Sequence, residues 1–450
     1  MRGSQRIPPG RGWREKTLGV HAGRVHPGQV SADSMDKPRQ DDAPRVRHAV
    51  VIAAGSGTRF GNLVDSTPKP LMKVAGVPLI ERTLLTAQKA GIHRFTVVTG
   101  YRAEVLEAFL HQAALPGIEV ECIRNEAWQR ANGLSALKAR GKVRGQFLLL
   151  MADHLFEEGI IRKVMSKPLA PGRCRLAVDF QPAKNIDLND ATKVHVVGDQ
   201  VRAIGKGIKT YNAIDTGIFF CSEALFDALA EAISRGEESL SDGIREMARN
   251  RRMEAVDIGD GFWQDVDNER DLKEGEKQLL HTLVGQNDSW LTRLINRRIS
   301  LAVTHCLAST RIKATQITLL TFGVGLLGVA VMLWGTYAGF VVGVALFLLS
   351  TILARCSGEI ARLKFQDSRL GAYLDRVPGK VKHMAVFALM TLGLIRASGS
   401  HLYLLPASLL LLSALSWFLM RILAPRRIGR AKNLLVSQKG VDVSSNDQRH

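Results

Sequence analysis

The sequence predicts an α/β Rossmann-like domain followed by an all-α transmembrane domain of about four spans. Three observations carry this expectation. Between His48 and Leu280, short apolar or β-branched runs alternate with amphipathic stretches. Beyond residue 285 the texture changes to long apolar segments. The net charge of +19 is placed unevenly, at +5 in residues 1–48, 0 in residues 49–284 and +14 in residues 285–450. A neutral central segment argues against nucleic acid as a partner, because that function needs a basic face on a folded unit. With 46% hydrophobic and 23% charged residues, a mainly disordered chain is excluded as well.

Residues 1–47 are rich in Arg, Gly, Pro and Ser and show no hydrophobic period, so they read as a disordered basic extension without a signal-peptide core. Met35 lies just before the first strand pattern and is a candidate natural start, which an N-terminal peptide beginning earlier would exclude. Residues 48–284 form the α/β domain. Val50 to Ala53 reads as a buried strand leading into a glycine loop, and Leu79 to Ala90 has helical spacing. Phe95 to Val98 is a second strand, bounded by Gly100, and Phe147 to Met151 is a third that ends beside Asp153. Repetition of this kind predicts a largely parallel sheet with helices on both faces and a site at the carboxyl ends of its strands. A charged helix from Asn268 to Leu280 closes the domain.

Residues 285–430 hold four apolar stretches, at roughly 316–335, 337–354, 381–395 and 402–424. The first, second and fourth approach or reach the ~20 residues that cross a hydrocarbon core, while the third needs help from its flanks. Basic residues cluster before the first stretch (Arg293, Arg297, Arg298, Arg311, Lys313), between the second and third (from Arg355 to Lys382), and after the fourth (from Arg421 to Lys432). The other two loops contain only Arg396. The positive-inside rule therefore predicts a multi-pass protein of the cytoplasmic membrane, with the α/β domain and the 431–450 tail in the cytoplasm. Cys122, Cys174, Cys221, Cys306 and Cys356 are scattered and include no C-x-x-C, which argues for a reducing compartment and against a zinc site.

The densest chemical signal is Ala53-Ala54-Gly55-Ser56-Gly57-Thr58-Arg59, followed by Thr67-Pro68-Lys69-Pro70. A glycine loop directly after a buried strand lets backbone N–H groups approach phosphate oxygens, and a terminal arginine adds charge-assisted bonds. No Gly-Lys-Ser/Thr follows, so this is not a Walker loop. Joined to the downstream lysine, the loop resembles the signature of the sugar-phosphate nucleotidyltransferase family. Asn132-Gly133-x-Ser135 resembles that family's base-reading segment, Met151-Ala152-Asp153-His154 its metal-aspartate motif, and Trp263-Gln264-Asp265-Val266-Asp267 its second metal motif. The five motifs stand in the family's order and cover about residues 48–280.

The resemblance implies a nucleotidyltransferase domain that binds its nucleotide through Ala53, Ala54, Gly55, Ser56, Gly57, Thr58, Arg59, Lys69, Gly100, Asn132, Gly133 and Ser135. Both substrates of such a reaction are anionic, so bringing them together needs a metal and cationic side chains. Arg59 and Lys69 are the expected catalytic cations, the first at the β- and γ-phosphates and the second at the α-phosphate. Asp153 is expected to bind Mg²⁺ together with Asp265 or Asp267, a choice that spacing leaves open. His154 is given no catalytic role. Lys193, Lys206 and Asp215 lie in a stretch that resembles the family's acceptor-binding part. Plainer readings stand beside these: Lys69, Lys193 and Lys206 as solvated lysines, and Asp153 as a helix N-cap.

Gly358-Glu359-Ile360-Ala361-Arg362, then Gly371 and Asp375, resembles the motif of the CDP-alcohol phosphatidyltransferase family, in which four aspartates hold two metals. Here the four positions read Ala354, Ser357, Asp375 and Gly379. A single carboxylate cannot concentrate two divalent cations, so this half is expected to be an inactive relative. The order of the two halves resembles that of the bifunctional inositol-1-phosphate cytidylyltransferase and di-inositol-phosphate phosphate synthase family. That resemblance implies a membrane-anchored transfer of a cytidylyl group from CTP to a phosphorylated polyol, inositol 1-phosphate first among candidates. A sugar-phosphate uridylyltransferase, a phosphocholine or phosphonate acceptor, a fully bifunctional enzyme and a membrane tether or partner subunit are the competing readings. The expected partners are a nucleoside triphosphate, an alcohol or sugar phosphate and the lipid bilayer, and the helical half is a candidate homodimer surface.

Overall fold

The computed structural model describes residues 46–61, 67–183, 186–283 and 297–366, with a few further positions between 391 and 412. The basic extension, the tail, Asp375, Gly379 and nearly all of the third and fourth expected spans lie outside these residues.

In chain order, β1 (His48–Ala53) is followed by a small hairpin, β2 (Lys73–Val74) and β3 (Val77–Pro78), and then by α1 (Leu79–Lys89). Next come β4 (Arg94–Thr99), α2 (Ala103–Gln112), β5 (Glu119–Arg124), α3 (Asn132–Lys138) and β6 (Gln146–Met151). β7 (His154–Phe156), α4 (Glu158–Val164), β8 (Cys174–Asp179), β9 (Lys193–Val197), β10 (Gln200–Gly205) and β11 (Ala213–Ser222) follow. The α/β domain ends with α5 (Ala224–Ser234), α6 (Leu240–Arg249), β12 (Met253–Asp257), β13 (Trp263–Asp265) and α7 (Glu269–Thr282). Strands and helices expected at 50–53, 79–90, 95–98, 147–151 and 268–280 therefore form, within a residue or two of their expected ends.

Nine strands make the main sheet, in the order β5-β4-β1-β6-β11-β8-β12-β10-β9. Alternation along β1 divides its side chains between two cores. Ala49, Val51 and Ala53 face α1, α2 and α4, while Val50 and Ile52 face the core built with α3, α5 and α6. In the second core the rings of Phe147 and Phe226 stack with centroids 5.2 Å apart, a contact worth about 0.5–1.5 kcal/mol beyond its buried area.

The expectation of a largely parallel sheet holds only for half of it. β5, β4, β1 and β6 are parallel, but β11 runs antiparallel to both β6 and β8, and β10 is antiparallel to its neighbours. For β9 and β10 the reason is local. β9 and β10 are joined by Gly198-Asp199 alone, a two-residue turn that forces a hairpin, whereas parallel pairing needs a crossover. The start of β11 then pairs with β9, so this half of the sheet closes on itself.

Past residue 296 the described chain is helical: α8 (Arg297–Ala308), α9 (Ala314–Met332) and α10 (Tyr337–Leu363). α9 and α10 are long and apolar enough to cross a membrane and match the first two expected spans. α8 was not expected, and α10 runs nine residues past Ala354. A Cβ on Gly328 would sit 2.9 Å from the Gly343 carbonyl oxygen and one on Gly343 2.6 Å from that of Gly328, so the glycine pair sets how closely these helices cross. Trp334 and Tyr337 are exposed at the turn between them, and Arg311 and Lys313 are exposed at the opposite end of α9. Ser357 donates to the Ala354 carbonyl at 3.1 Å, while the buried Glu359 carboxylate accepts from Ser300 at 3.0 Å and Thr304 at 2.7 Å, tying α10 to α8.

The two halves meet at the hairpin. Ala75 packs with Leu280, Leu283, Ala308, Ile317, Ile360 and Leu363. A Cβ on Gly76 would lie 2.2 Å from the Ala308 carbonyl oxygen. Arg82 and Lys89 of α1 stand over the Phe365 ring at 5.4 and 4.8 Å from its centroid.

Candidate active site

Two motifs far apart in sequence are joined by one short ladder. β7 pairs antiparallel with β13 so that His154 lies opposite Asp265, and the Val266 N–H donates to the Asp153 carbonyl at 3.1 Å. Asp153 occupies the tight turn between β6 and β7 and caps no helix. Asp153, His154 and Asp265 each present a ligand atom, all within 4.8 Å of one another. His154 Nδ1 is 2.9 Å from Asp153 Oδ1 and 3.7 Å from Asp265 Oδ1.

Asp265 Oδ1 is buried without a hydrogen-bond partner, an arrangement that a divalent cation would satisfy. These residues therefore fit such a cation. Burial pushes the Asp265 carboxyl up to about 6, against the opposing charge of His154. Burial alone would lower His154, but Asp265 and Asp153 reverse this and carry it up to about 9. Glycine is required at position 217 for His154 to sit here. Gly217 has φ +73, and a Cβ on it would fall 2.8 Å from the imidazole. Its N–H donates to Asp215 at 2.8 Å, turning that carboxylate toward the cavity, where burial raises it to about 6.

Lys69 is not the solvated lysine of the plain reading. It opens a short 3₁₀ turn, Lys69–Leu71, between Pro68 and Pro70, and is 6% exposed. Its ammonium donates to Asp153 and Asp267, each at 2.6 Å. Burial pulls its pKa down, yet Asp153, Asp265 and Asp267 together hold it well above the lysine range. The same Lys69 ammonium keeps Asp153 ionised far below the usual carboxylate range, although burial works the other way. Gly57, at φ +65, leaves room for Lys69, since a Cβ there would lie 2.7 Å from the lysine Cβ.

Arg59, on the 3₁₀ turn Thr58–Phe60, bonds both Asp267 and Asp190. Asp190 also accepts from the Lys206 ammonium at 2.6 Å. Arg59 and Lys206 depress Asp190 to about 2. Side chains of alternating sign thus run continuously as Lys206, Asp190, Arg59, Asp267, Lys69, Asp153 and His154.

This chain borders a cavity of about 640 Å³, lined in part by Arg59, Asn132, Asp153, Lys206, Asp215, Asp265 and Asp267. The other expected residues are placed differently. Gly100 packs under Trp128 and Ala54, whose carbonyl accepts from the Tyr101 N–H at 3.0 Å. Asn132 lines the cavity but spends its Oδ1 on the Leu240 N–H at 2.9 Å. Gly133 abuts the Glu238 carbonyl, and Ser135 is buried on the Asn125 amide at 3.0 Å. Ala53, Ala54, Gly55, Ser56, Gly57, Thr58, Lys69, Gly100, Gly133, Ser135 and Lys193 are absent from the cavity lining, Lys69 because it is buried behind the Asp153 and Asp267 carboxylates that do line it. Lys193 donates to the Lys206 carbonyl at 2.9 Å and supports the segment that carries Lys206.

Asp187, Asp190 and Asp271, also in the lining, were missed from sequence. They lie in polar loops or a charged helix where an aspartate carries no distinguishing pattern.

Residues 49–250 match the MobA-like NTP transferase domain. The bifunctional IPC transferase and DIPP synthase of Aquifex aeolicus is 31% identical over 335 residues, which are 74% of this chain and 74% of that protein. The protein of the same name from Thermococcus kodakarensis is 34% identical over 334 residues, 73% of this chain and 72% of that one. Among solved structures, the inositol-1-phosphate CTP transferase from T. maritima aligns with a TM-score of 0.46 and 26% identity, over 52% of this chain and 97% of that chain. With a nucleotidyltransferase domain at its front and similarity to these relatives extending over about three quarters of its length, the chain belongs to the bifunctional IPC transferase and DIPP synthase family.

Proposed function

We propose that the chain transfers the cytidylyl group of CTP to inositol 1-phosphate, releasing pyrophosphate and CDP-inositol at the cytoplasmic face of a membrane. The observation that supports nucleotidyl transfer is the convergence of Arg59, Lys69, Asp153 and Asp267, from separate segments, into one connected set of charges, while the choice of CTP and inositol 1-phosphate rests on the name shared by the relatives. A phosphate oxygen of the acceptor attacks the α-phosphorus, the bond from that phosphorus to the bridging oxygen breaks, and pyrophosphate leaves with the electron pair. Arg59 is set to hold the leaving β- and γ-phosphates and Lys69 to steady charge at the α-phosphate. Lys206 and Asp215 face the acceptor's phosphate and hydroxyls. Asp153, with Asp265 and Asp267 beside it, would hold Mg²⁺, which supplies charge neutralisation on the phosphates when bound.

The helical half, in this reading, anchors the enzyme and performs no second transfer. Exposed Trp334 and Tyr337 at one end and basic Arg311 and Lys313 at the other suit a bilayer interface and its cytoplasmic side, respectively. Ala354 and Ser357 stand where acids would be needed.

Purified full-length chain in detergent with Mg²⁺, tested against four nucleoside triphosphates and a panel of alcohol phosphates, should release pyrophosphate best with CTP and inositol 1-phosphate. Preference for UTP and a hexose 1-phosphate would overturn the assignment. Adding a second inositol phosphate or alcohol should liberate no CMP above background with Mg²⁺ or Mn²⁺. CMP release that disappears in Asp375→Ala would restore the second activity.

A further inference from the structure

Asp190 opens the Asp190–Val194 segment that resembles the family's acceptor-binding part but was given no role there, yet among the described residues it is the only side chain that bonds both Arg59 and Lys206. Its two oxygens are divided between them, Oδ2 to Arg59 and Oδ1 to Lys206. Its own position is set by backbone. Asn189 donates to the Asp187 carboxylate at 2.9 Å, and the Asp190 and Ala191 N–H groups return to the Asp187 carbonyl at 3.2 and 2.9 Å. Both cations are about half exposed, at 51% for Arg59 and 58% for Lys206, so neither is held by packing.

We propose that Asp190 is a positioning residue that serves both substrates at once, as a shared counter-ion that orders Arg59 and Lys206 and lowers their grip on phosphate. This rests on the reading above, in which Arg59 meets the nucleotide and Lys206 the acceptor. Two long flexible cations in one cavity repel each other and sample many rotamers. One carboxylate between them removes the repulsion and fixes their spacing. The same negative charge competes with every phosphate that enters, so both substrates and pyrophosphate bind less tightly than the cations alone would allow. Weak product retention is what a reaction with two anionic substrates and two anionic products requires for turnover.

The test is Asp190→Asn, which keeps the size and turn-forming character of the side chain but removes its charge. In calorimetric titrations with Mg²⁺ present, the variant should bind inorganic pyrophosphate and inositol 1-phosphate each roughly three- to tenfold more tightly than wild type, the size expected from a partly exposed ion pair. Its KM values for both substrates should fall together while kcat also falls, and Asp190→Glu should return all of these toward wild type. A merely structural role would not tighten binding. Unchanged or weakened affinity for pyrophosphate in Asp190→Asn would overturn the proposal, and so would a shift confined to one ligand. If wild type showed no CTP-dependent turnover, the functional reading would fail, and the pyrophosphate comparison would still decide the role of Asp190.

Discussion

A lysine with two carboxylates on it is a poor phosphate ligand until something takes the carboxylates away. Lys69, bonded to Asp153 and Asp267, is in that state, and a divalent cation drawn to the same oxygens would release it. His154 bears on how well that cation is held, because its ring nitrogen fixes the Asp153 carboxylate. Replacing His154 with Ala should therefore lower Mn²⁺ affinity about 10- to 100-fold, as loss of a ligand's supporting partner does. Electron paramagnetic resonance of bound Mn²⁺ measures this, and unchanged affinity would leave the ring only its stacking on Trp263, with centroids 6.3 Å apart. At this scale the charged members of the motifs were legible, while most of the small residues expected beside them lie away from the cavity. Arg59, Lys69, Asp153, Asp265 and Asp267 all meet, and close contacts account for Gly57 and Gly217, whereas Gly55 has open space around it. Asp190 was not legible, since its neighbours come from other segments and only the tertiary fold brings them to it.

Among the elements, the β2–β3 hairpin links the two halves. It begins two residues after the turn that carries Lys69, and its tip rests on the end of α8. Gly76→Val combines a left-handed backbone, φ +79, with a side chain driven into the Ala308 carbonyl. The strain, of order 1–3 kcal/mol, should loosen the contact without unfolding the sheet. Hydrogen exchange should rise across α8 and stay unchanged in β1 and β6; equal exchange in α8 would show that the contact bears no weight. Apolar runs and their periods made nearly every tested strand and helix legible, because burial on a pleated or helical face is a local property. The direction of β9, β10 and β11 was missed because it depends on one two-residue turn and on pairing partners that lie far away in sequence.

For the molecule as a whole, the sheet changes character at the boundary between β6 and β11, and the cavity opens along that boundary. Arg59, Lys69 and Asp153 come from loops of the parallel half. Asp190, Lys206 and Asp215 come from the mixed half, in which β8 and β12 pair in parallel and which closes on itself through β9 and β11. Exchanging residues 186–212, with Asp190 retained, for those of a relative with another acceptor should change the preferred alcohol phosphate and leave the KM for CTP within about threefold, since in the proposed reading no nucleotide-facing residue is then replaced. A large loss of CTP affinity would mean that the halves share more than the Asp190 contacts.

That seam also bears on ancestry. In the proposed reading, donor and acceptor are handled by separate stretches of chain that meet through side-chain ion pairs and share little backbone. New acceptors can therefore be acquired by drift in one stretch while the triphosphate end is inherited intact. A lineage built this way diversifies by what it decorates and stays conservative in how it activates.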